Sequence, residues 1–156
     1  MLYFAYGSNM NWQQMRERCP SMRFVGIALL PDHKLAFTRE SINRGCGVAD
    51  AVREQGQEIW GVVYDIDDLD VANLDRSEGF KPGRPKNKNS YCRRNCLVLL
   101  DGDRRRQLTA SSYFGVPQTD PPLPNNEYMQ LIISGARHWR LPADYVRALE
   151  AIQAKG

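Results

Sequence analysis

Apolar and polar positions alternate in short runs along most of the chain, and the runs predict strands more often than helices. The opening MLYFAYG is aromatic and short, as an N-terminal core strand would be, and Gly7-Ser8-Asn9 supplies a turn at its exit. WQQMRER follows as a first helix, with Asn9 or Asn11 placed to cap it. It ends at Cys19-Pro20, because the proline ring restricts the preceding backbone and Pro20 lacks an amide donor. MRFVGIALL and HKLAFTRES read as two adjacent strands separated at Pro31-Asp32. The glycine-punctuated INRGCGVADAVREQGQ has no clear period and is expected to form an irregular excursion. EIWGVVYDI concentrates aromatic and β-branched residues between polar boundaries and predicts a strand.

DLDVANLDRSE then reads as a short helix, with Asp67 or Asp68 at its start, Leu69, Ala72 and Leu74 available for packing, and Gly79 as its stop. Lys81 to Asn89 carries two prolines and a glycine among basic and amide residues, which predicts an exposed loop. SYCRRNCLVLL, a DGD turn and RRRQLTASSYF predict a hairpin. Beyond the PQTDPPLPNN breaker, EYMQLIISGARHW and LPADYVRALEAIQ predict two closing helices, with Pro142 at an early helical position. The order is strands with peripheral helices and no repeated β-helix-β period. It implies an α+β fold in which a mixed sheet curls toward a barrel, rather than a doubly wound sheet.

Composition narrows this further. With 156 residues, 42% of them hydrophobic and 25% charged, the chain is expected to form one domain over 1–156, and disorder, coiled coil and collagen are excluded. Lys and Arg number 21 against 18 Asp and Glu, a formal charge of +3, too mild by itself to mark a nucleic-acid binder. The distribution says more than the sum. Acidic residues cluster in DIDDLDVANLDRSE, whereas Lys81 to Arg94 holds six basic residues and no acidic one. Cys19, Cys46, Cys92 and Cys96 lack the density of a disulfide scaffold, and no histidine completes a zinc set beside Cys92 and Cys96. The N-terminus has no basic segment followed by an apolar stretch, and no run of about 18 apolar residues occurs. Free thiols in the cytoplasm are expected, with no membrane partner; the oligomeric state is unreadable, since neither a heptad nor an interface stripe is evident.

Candidate chemistry gathers at a few places. YGSNM puts a glycine, a hydroxyl and an amide at a strand exit, either as a structural turn or as a set of neutral donors for a carboxylate or oxyanion. Neither GxxxxGK[ST] nor GxGxxG occurs, so phosphate transfer and nicotinamide chemistry lack their anchors. In LDRSEG, Glu78 sits near a helix C-terminus, where the dipole does not favour its charge. It is either a solvated acid or, if enclosed, a group with proton affinity suited to acid-base work. Asp75 reads first as a local hydrogen-bonding residue. Ser8 lacks a nucleophile elbow, and His33 and His138 read as turn and packing residues, so a serine-histidine-acid triad would require unusual convergence. The basic Lys81 to Arg94 segment is an exposed loop, an active-site lid or, with Phe80 and Tyr91 stacking, a contact for nucleic acid.

Taken together, YFAYGSNM at 3–10, RCP at 18–20, WGVVY at 60–64, LDRSEG at 74–79 and YMQLIISGARHWRLPADY at 128–145 resemble the gamma-glutamylcyclotransferase family, in order and over nearly the whole chain. The resemblance implies a compact mixed β-barrel surrounded by helices, with a pocket between the YGSN turn and the acidic segment. It implies a small gamma-glutamyl amino acid, peptide or amine as substrate, converted to 5-oxoproline and a free amine, without cofactor, metal or nucleic acid. By the same resemblance Glu78 is the acid-base residue, and Tyr6, Gly7, Ser8 and Asn9 form the substrate-binding turn. Tyr91 is a further pocket residue, with a core aromatic as the alternative reading. Arg93, two positions on along the strand, is a candidate carboxylate binder. The loop from Lys81 to Asn89 enters between Glu78 and Tyr91 and is expected to alter the pocket mouth. A different small-amide reaction on this scaffold, or a noncatalytic ligand-binding or interaction domain, are the competing readings.

Overall fold

In the computed structural model, which describes residues 1–156, five strands close into a barrel. The strands are β1 (Leu2–Ala5), β2 (Arg23–Ser41), β3 (Cys46–Asp65), β4 (Tyr91–Leu100) and β5 (Gln107–Gly115). Their order around the barrel is β1-β3-β2-β4-β5. The helices are α1 (Trp12–Arg18), α2 (Asp68–Ser77), α3 (Asn126–His138) and α4 (Ala143–Glu150). β1 is antiparallel to β3 and parallel to β5, so the first strand closes the barrel and is the reason the sheet is mixed. Tyr3, Phe4 and Ala5 are all buried. A strand covered on both faces reads as a continuous apolar run, which explains why the N-terminal sequence does not alternate. No helix is long and apolar enough to cross a membrane.

Two sequence expectations are corrected. MRFVGIALL and HKLAFTRES are one strand, β2, and the stretch expected to be irregular forms the first half of β3; the two pair from Arg23↔Asp65 to Ser41↔Cys46. The break at Pro31-Asp32 is a bulge within this hairpin: the register shifts between Pro31 and His33, and Asp32 has φ 57°. Its carboxylate accepts the Gly56 N–H at 3.0 Å. A bulge accommodates a proline inside a strand and bends the pair. Gly47 is needed for close approach, because a Cβ there would lie 2.0 Å from the Pro122 carbonyl oxygen. The outer half of the hairpin thereby leaves the barrel wall and folds over its end. There Gly115 N–H donates to Asp50 (2.7 Å) and Ala49 N–H to the Tyr128 hydroxyl (2.9 Å).

The remaining elements fall where the apolar period predicts them. Asn11 caps α1 by accepting the Gln14 N–H at 3.0 Å, and Asn125 caps α3 by accepting the Tyr128 N–H at 2.8 Å. α3 buries Met129, Ile132, Ile133 and Ala136 against the core. Gly135 lets it press directly on the turn after β1, since a Cβ there would sit 2.3 Å from the Met10 carbonyl carbon. Trp139 at the end of α3 donates its indole N–H to the Met10 carbonyl at 2.9 Å. The turn at Ser8–Met10 is therefore pinned from the outside by a helix more than a hundred residues away.

Candidate active site

Glu78 is positioned by the way α2 ends. Gly79 adopts φ +64°, the Gly79 N–H bonds Arg76 O at 3.1 Å, and the Phe80 N–H bonds Asp75 O at 2.9 Å. These are the two bonds of a Schellman cap, in which glycine takes the left-handed position at no steric cost. LDRSEG is thus a helix stop that leaves Glu78 as the last residue of the turn, its backbone bonded and its side chain free to point inward. The α2 side chain one turn earlier, Asp75, is buried, accepts from the Tyr113 hydroxyl at 2.6 Å and from Arg93 Nη2 at 3.5 Å, and pairs ionically with the same guanidinium, whose Nε lies 3.0 Å from its carboxylate.

Opposite Glu78 lies the turn after β1. Asn9 Nδ2 donates to Glu78 Oε1 and to the Tyr3 hydroxyl, both at 3.0 Å. Asn9 Oδ1 accepts from Gln14 Nε2 and Arg18 Nη1, also both at 3.0 Å. All four hydrogen-bonding positions of the amide are filled, which fixes its orientation. Arg18 approaches Glu78 Oε1 at 4.0 Å, and the Glu78 side chain is only 16% exposed. Burial raises the proton affinity of Glu78 above the ordinary carboxylate range, while Arg18, Arg44 and the Asn9 amide pull it back. The opening amides of the Ser8–Met10 turn have no partner within it, because its backbone bonds run from the Met10 and Asn11 N–H groups to Gly7 and Ser8.

Two neighbouring spaces share Glu78 in their walls. A narrow recess of about 40 Å³ lies between the turn, Ala49, Glu78 and five tyrosines, and beside it lies a cleft of about 670 Å³ bounded by the β2–β3 hairpin and the end of α2. Ser8, Glu78, Tyr91 and Tyr128 line both. Burial raises the pKa of Tyr3, Tyr6, Tyr91, Tyr113 and Tyr128, so the recess is walled by neutral phenols. Their hydroxyls are not equivalent. Tyr6 donates to the Tyr113 carbonyl and Tyr91 to the Ala49 carbonyl at 2.5 Å, so both protons are committed to backbone. The Tyr128 hydroxyl accepts from Ala49 N–H and keeps its own proton to give.

The geometry brings together Tyr6, Gly7, Ser8, Asn9, Glu78 and Tyr91 around the recess. Arg93 is not among them. Although it shares a strand face with Tyr91, its guanidinium pairs with Asp75, its Nη1 lies 3.5 Å from Met1 Sδ, and it covers the Phe80 ring. Nor does the extended loop shape the mouth. Gly79 and Ser90 border the cleft, but no residue from 81 to 89 does, because Arg84 ties the loop to Asn89 (2.7 Å) and to the Gly79 carbonyl. His33 bonds Pro31 O and His138 packs on Trp12 and Trp139, so neither approaches Ser8. No cluster of three or more His, Cys, Asp or Glu stands close enough to hold a metal. The sequence reading missed Arg18, Arg39, Arg44 and Tyr128, all of which border the cleft. Arg39 and Arg44 come from the hairpin tip, whose pairing partner was hidden by glycines.

Comparison with known proteins bears directly on this arrangement. The AIG2-like family matches over residues 58–149, more than half of the chain. Human gamma-glutamylcyclotransferase is 32% identical to it, covering 97% of this chain and 78% of the human protein. The chain belongs to the gamma-glutamylcyclotransferase/AIG2-like family. The bovine gamma-glutamylcyclotransferase is similar to the same extent, at 31% identity and equal coverage. A solved structure of a gamma-glutamyl cyclotransferase superposes with a TM-score of 0.88 at 29% identity, over 99% of this chain and 89% of the other. The five-stranded mixed barrel with surrounding helices is therefore the gamma-glutamylcyclotransferase-like fold, and the function of the chain lies within that family's catalysis.

Proposed function

We propose that the protein is a gamma-glutamylcyclotransferase that converts a small gamma-glutamyl amino acid, peptide or amine to 5-oxoproline and the free amine. The observation that carries this reading is the Glu78 carboxylate, enclosed and held 3.0 Å from Asn9 at the junction of recess and cleft. The reaction needs one group that first accepts a proton and then returns it. The α-amine of the glutamyl unit attacks its own γ-carbonyl carbon, the new C–N bond forms, and the amide C–N bond to the departing amine breaks. Starting from the neutral α-amine, one proton leaves the attacking nitrogen and one reaches the leaving nitrogen, so a single carboxylate standing near both balances the reaction without water. Burial suits Glu78 to this, because a raised proton affinity makes it a stronger base toward the nitrogen as that atom bonds to the carbonyl carbon.

The nucleophile and electrophile already belong to one molecule, so positioning supplies much of the remaining barrier reduction and no covalent enzyme intermediate is required. The amides of Gly7, Ser8 and Asn9 are suited to the glutamyl carboxylate or to the carbonyl oxygen as it becomes negative. The free hydroxyl proton of Tyr128 is a further donor beside Gly7, where a Cβ would stand 3.7 Å from that oxygen. Tyr91, with its proton committed to Ala49, offers the amine an acceptor oxygen. Ser8 is a binding residue, its Oγ held by Gln14 Nε2 at 2.8 Å. The four free cysteines favour a reducing compartment such as the cytoplasm. The test is a product-resolved screen of gamma-glutamyl amino acids, glutathione and gamma-glutamyl amines that follows both 5-oxoproline and the departing amine. Glu78→Gln is expected to cut turnover by about 10²–10⁴-fold with the fold intact; undiminished turnover would overturn the assignment.

A further inference from the structure

The cleft outside the recess holds more positive charge than a glutamyl head can use. Four arginines, Arg18, Arg39, Arg44 and Arg76, face two glutamates, Glu40 and Glu78, a balance of +2. Arg18 has Glu78 within 4.0 Å. The other three have no carboxylate within ion-pair distance, although Arg44 acts on Glu78 from farther off: Arg39 donates to the Val116 carbonyl, Arg44 to Gln14 Oε1 and Arg76 to Asn73 Oδ1, all neutral acceptors. Arg39 and Arg44 are half-buried. Half-buried cations with no carboxylate in contact gain nothing from each other, so the arrangement favours an anion that enters between them.

These guanidiniums stand on both rims. Arg39 lies on β2 and Arg44 in the turn that follows it, whereas Arg76 lies in the last turn of α2, two residues before Glu78. The recess of about 40 Å³ takes only part of a glutamyl unit, so a substrate seated at Glu78 places its amine side in the larger cleft. A gamma-glutamyl alkylamine is neutral overall at pH 7, a gamma-glutamyl derivative of a neutral amino acid carries about −1, and one with a second anionic group on its amine side carries about −2. Only the last balances the cleft.

Resting on the cyclotransferase reading, we propose that the departing amine bears two anionic groups, as an acidic amino acid does, and that Arg39, Arg44 and Arg76 determine this preference. The chemistry is unchanged: the α-amine to carbonyl bond forms, the amide bond breaks, and the acidic amine leaves with one proton. The test compares kcat/KM for gamma-glutamyl-glutamate, gamma-glutamyl-alanine and gamma-glutamyl-ethylamide, read as 5-oxoproline. The expected order is glutamate over alanine by about tenfold or more, with the ethylamide slowest, and a preference that shrinks as salt is raised. Arg76→Glu and Arg44→Gln are expected to bring the glutamate-to-alanine ratio toward unity, which a merely structural role would not do. Equal rates, or faster turnover of the ethylamide, overturn this proposal and leave the cyclotransferase reading standing. Absence of 5-oxoproline from all three overturns the reading beneath it as well.

Discussion

Asn9 Nδ2 and Glu78 Oε1 lie 3.0 Å apart, joining residues 69 positions distant in the chain across the recess. The amide can face the carboxylate in one orientation only, because Gln14 and Arg18 occupy its oxygen. Asn9→Asp replaces this donor with a second carboxylate. Like charge at that distance raises the proton affinity of Glu78 further. We expect kcat to fall by roughly 10–100-fold, as for loss of a charge-assisted hydrogen bond. The acidic limb of the pH–rate profile should move to higher pH, and a limb left in place would separate Asn9 from Glu78.

Because burial raises the Glu78 pKa, the native state holds this proton more tightly than the unfolded chain. Its contribution to stability is therefore full below the unfolded carboxyl pKa of about 4.3 and is lost as pH rises through the folded value. Glu78→Gln carries no charge at any pH. Thermal melts should place this variant above the parent near about pH 8, with the difference closing toward about pH 4. A constant offset across that window would contradict the linkage.

Arg93 serves the fold through Asp75. Arg93→Gln leaves a buried carboxylate with Tyr113 as its remaining donor and should cost about 1–3 kcal/mol in denaturant unfolding. KM for a gamma-glutamyl substrate should be little changed. A raised KM with unaltered stability would return Arg93 to the pocket.

Gly135 determines how closely α3 approaches the turn that carries Ser8 and Asn9. Gly135→Leu drives a side chain into the Met10–Asn11 backbone and should destabilise by about 1–3 kcal/mol through overpacking. Displacement of the turn should also weaken substrate binding. Both effects are read by pairing melts with KM; an unaffected variant would mean that α3 is free to retreat.

The two segments that face each other across the recess were legible because their signals are local. The helix stop in LDRSEG and the turn in YGSNM each need only neighbouring residues, a glycine able to take φ +64° in one case and a strand exit in the other. The hairpin was not legible. Pro31, Gly47 and Gly56 resemble breakers, yet in β2 and β3 they mark a bulge and a close backbone approach that long pairing makes favourable. The same blindness hid Arg39 and Arg44, whose place in the cleft depends on that hairpin folding over the barrel end.

By itself, then, the sequence determined the family, the barrel with its outer helices, and the carboxylate and turn around which a gamma-glutamyl reaction can be built, since order, turn chemistry and apolar period are all carried by short segments. Tertiary structure alone decided which like residues do unlike work. Tyr91 and Arg93 share a strand face, but Tyr91 reaches the recess whereas Arg93 is held by Asp75. Tyr91 spends its hydroxyl proton on Ala49, whereas Tyr128 keeps its own. Those distinctions rest on partners brought in from distant strands and helices, and alternation along one strand has no means of specifying them.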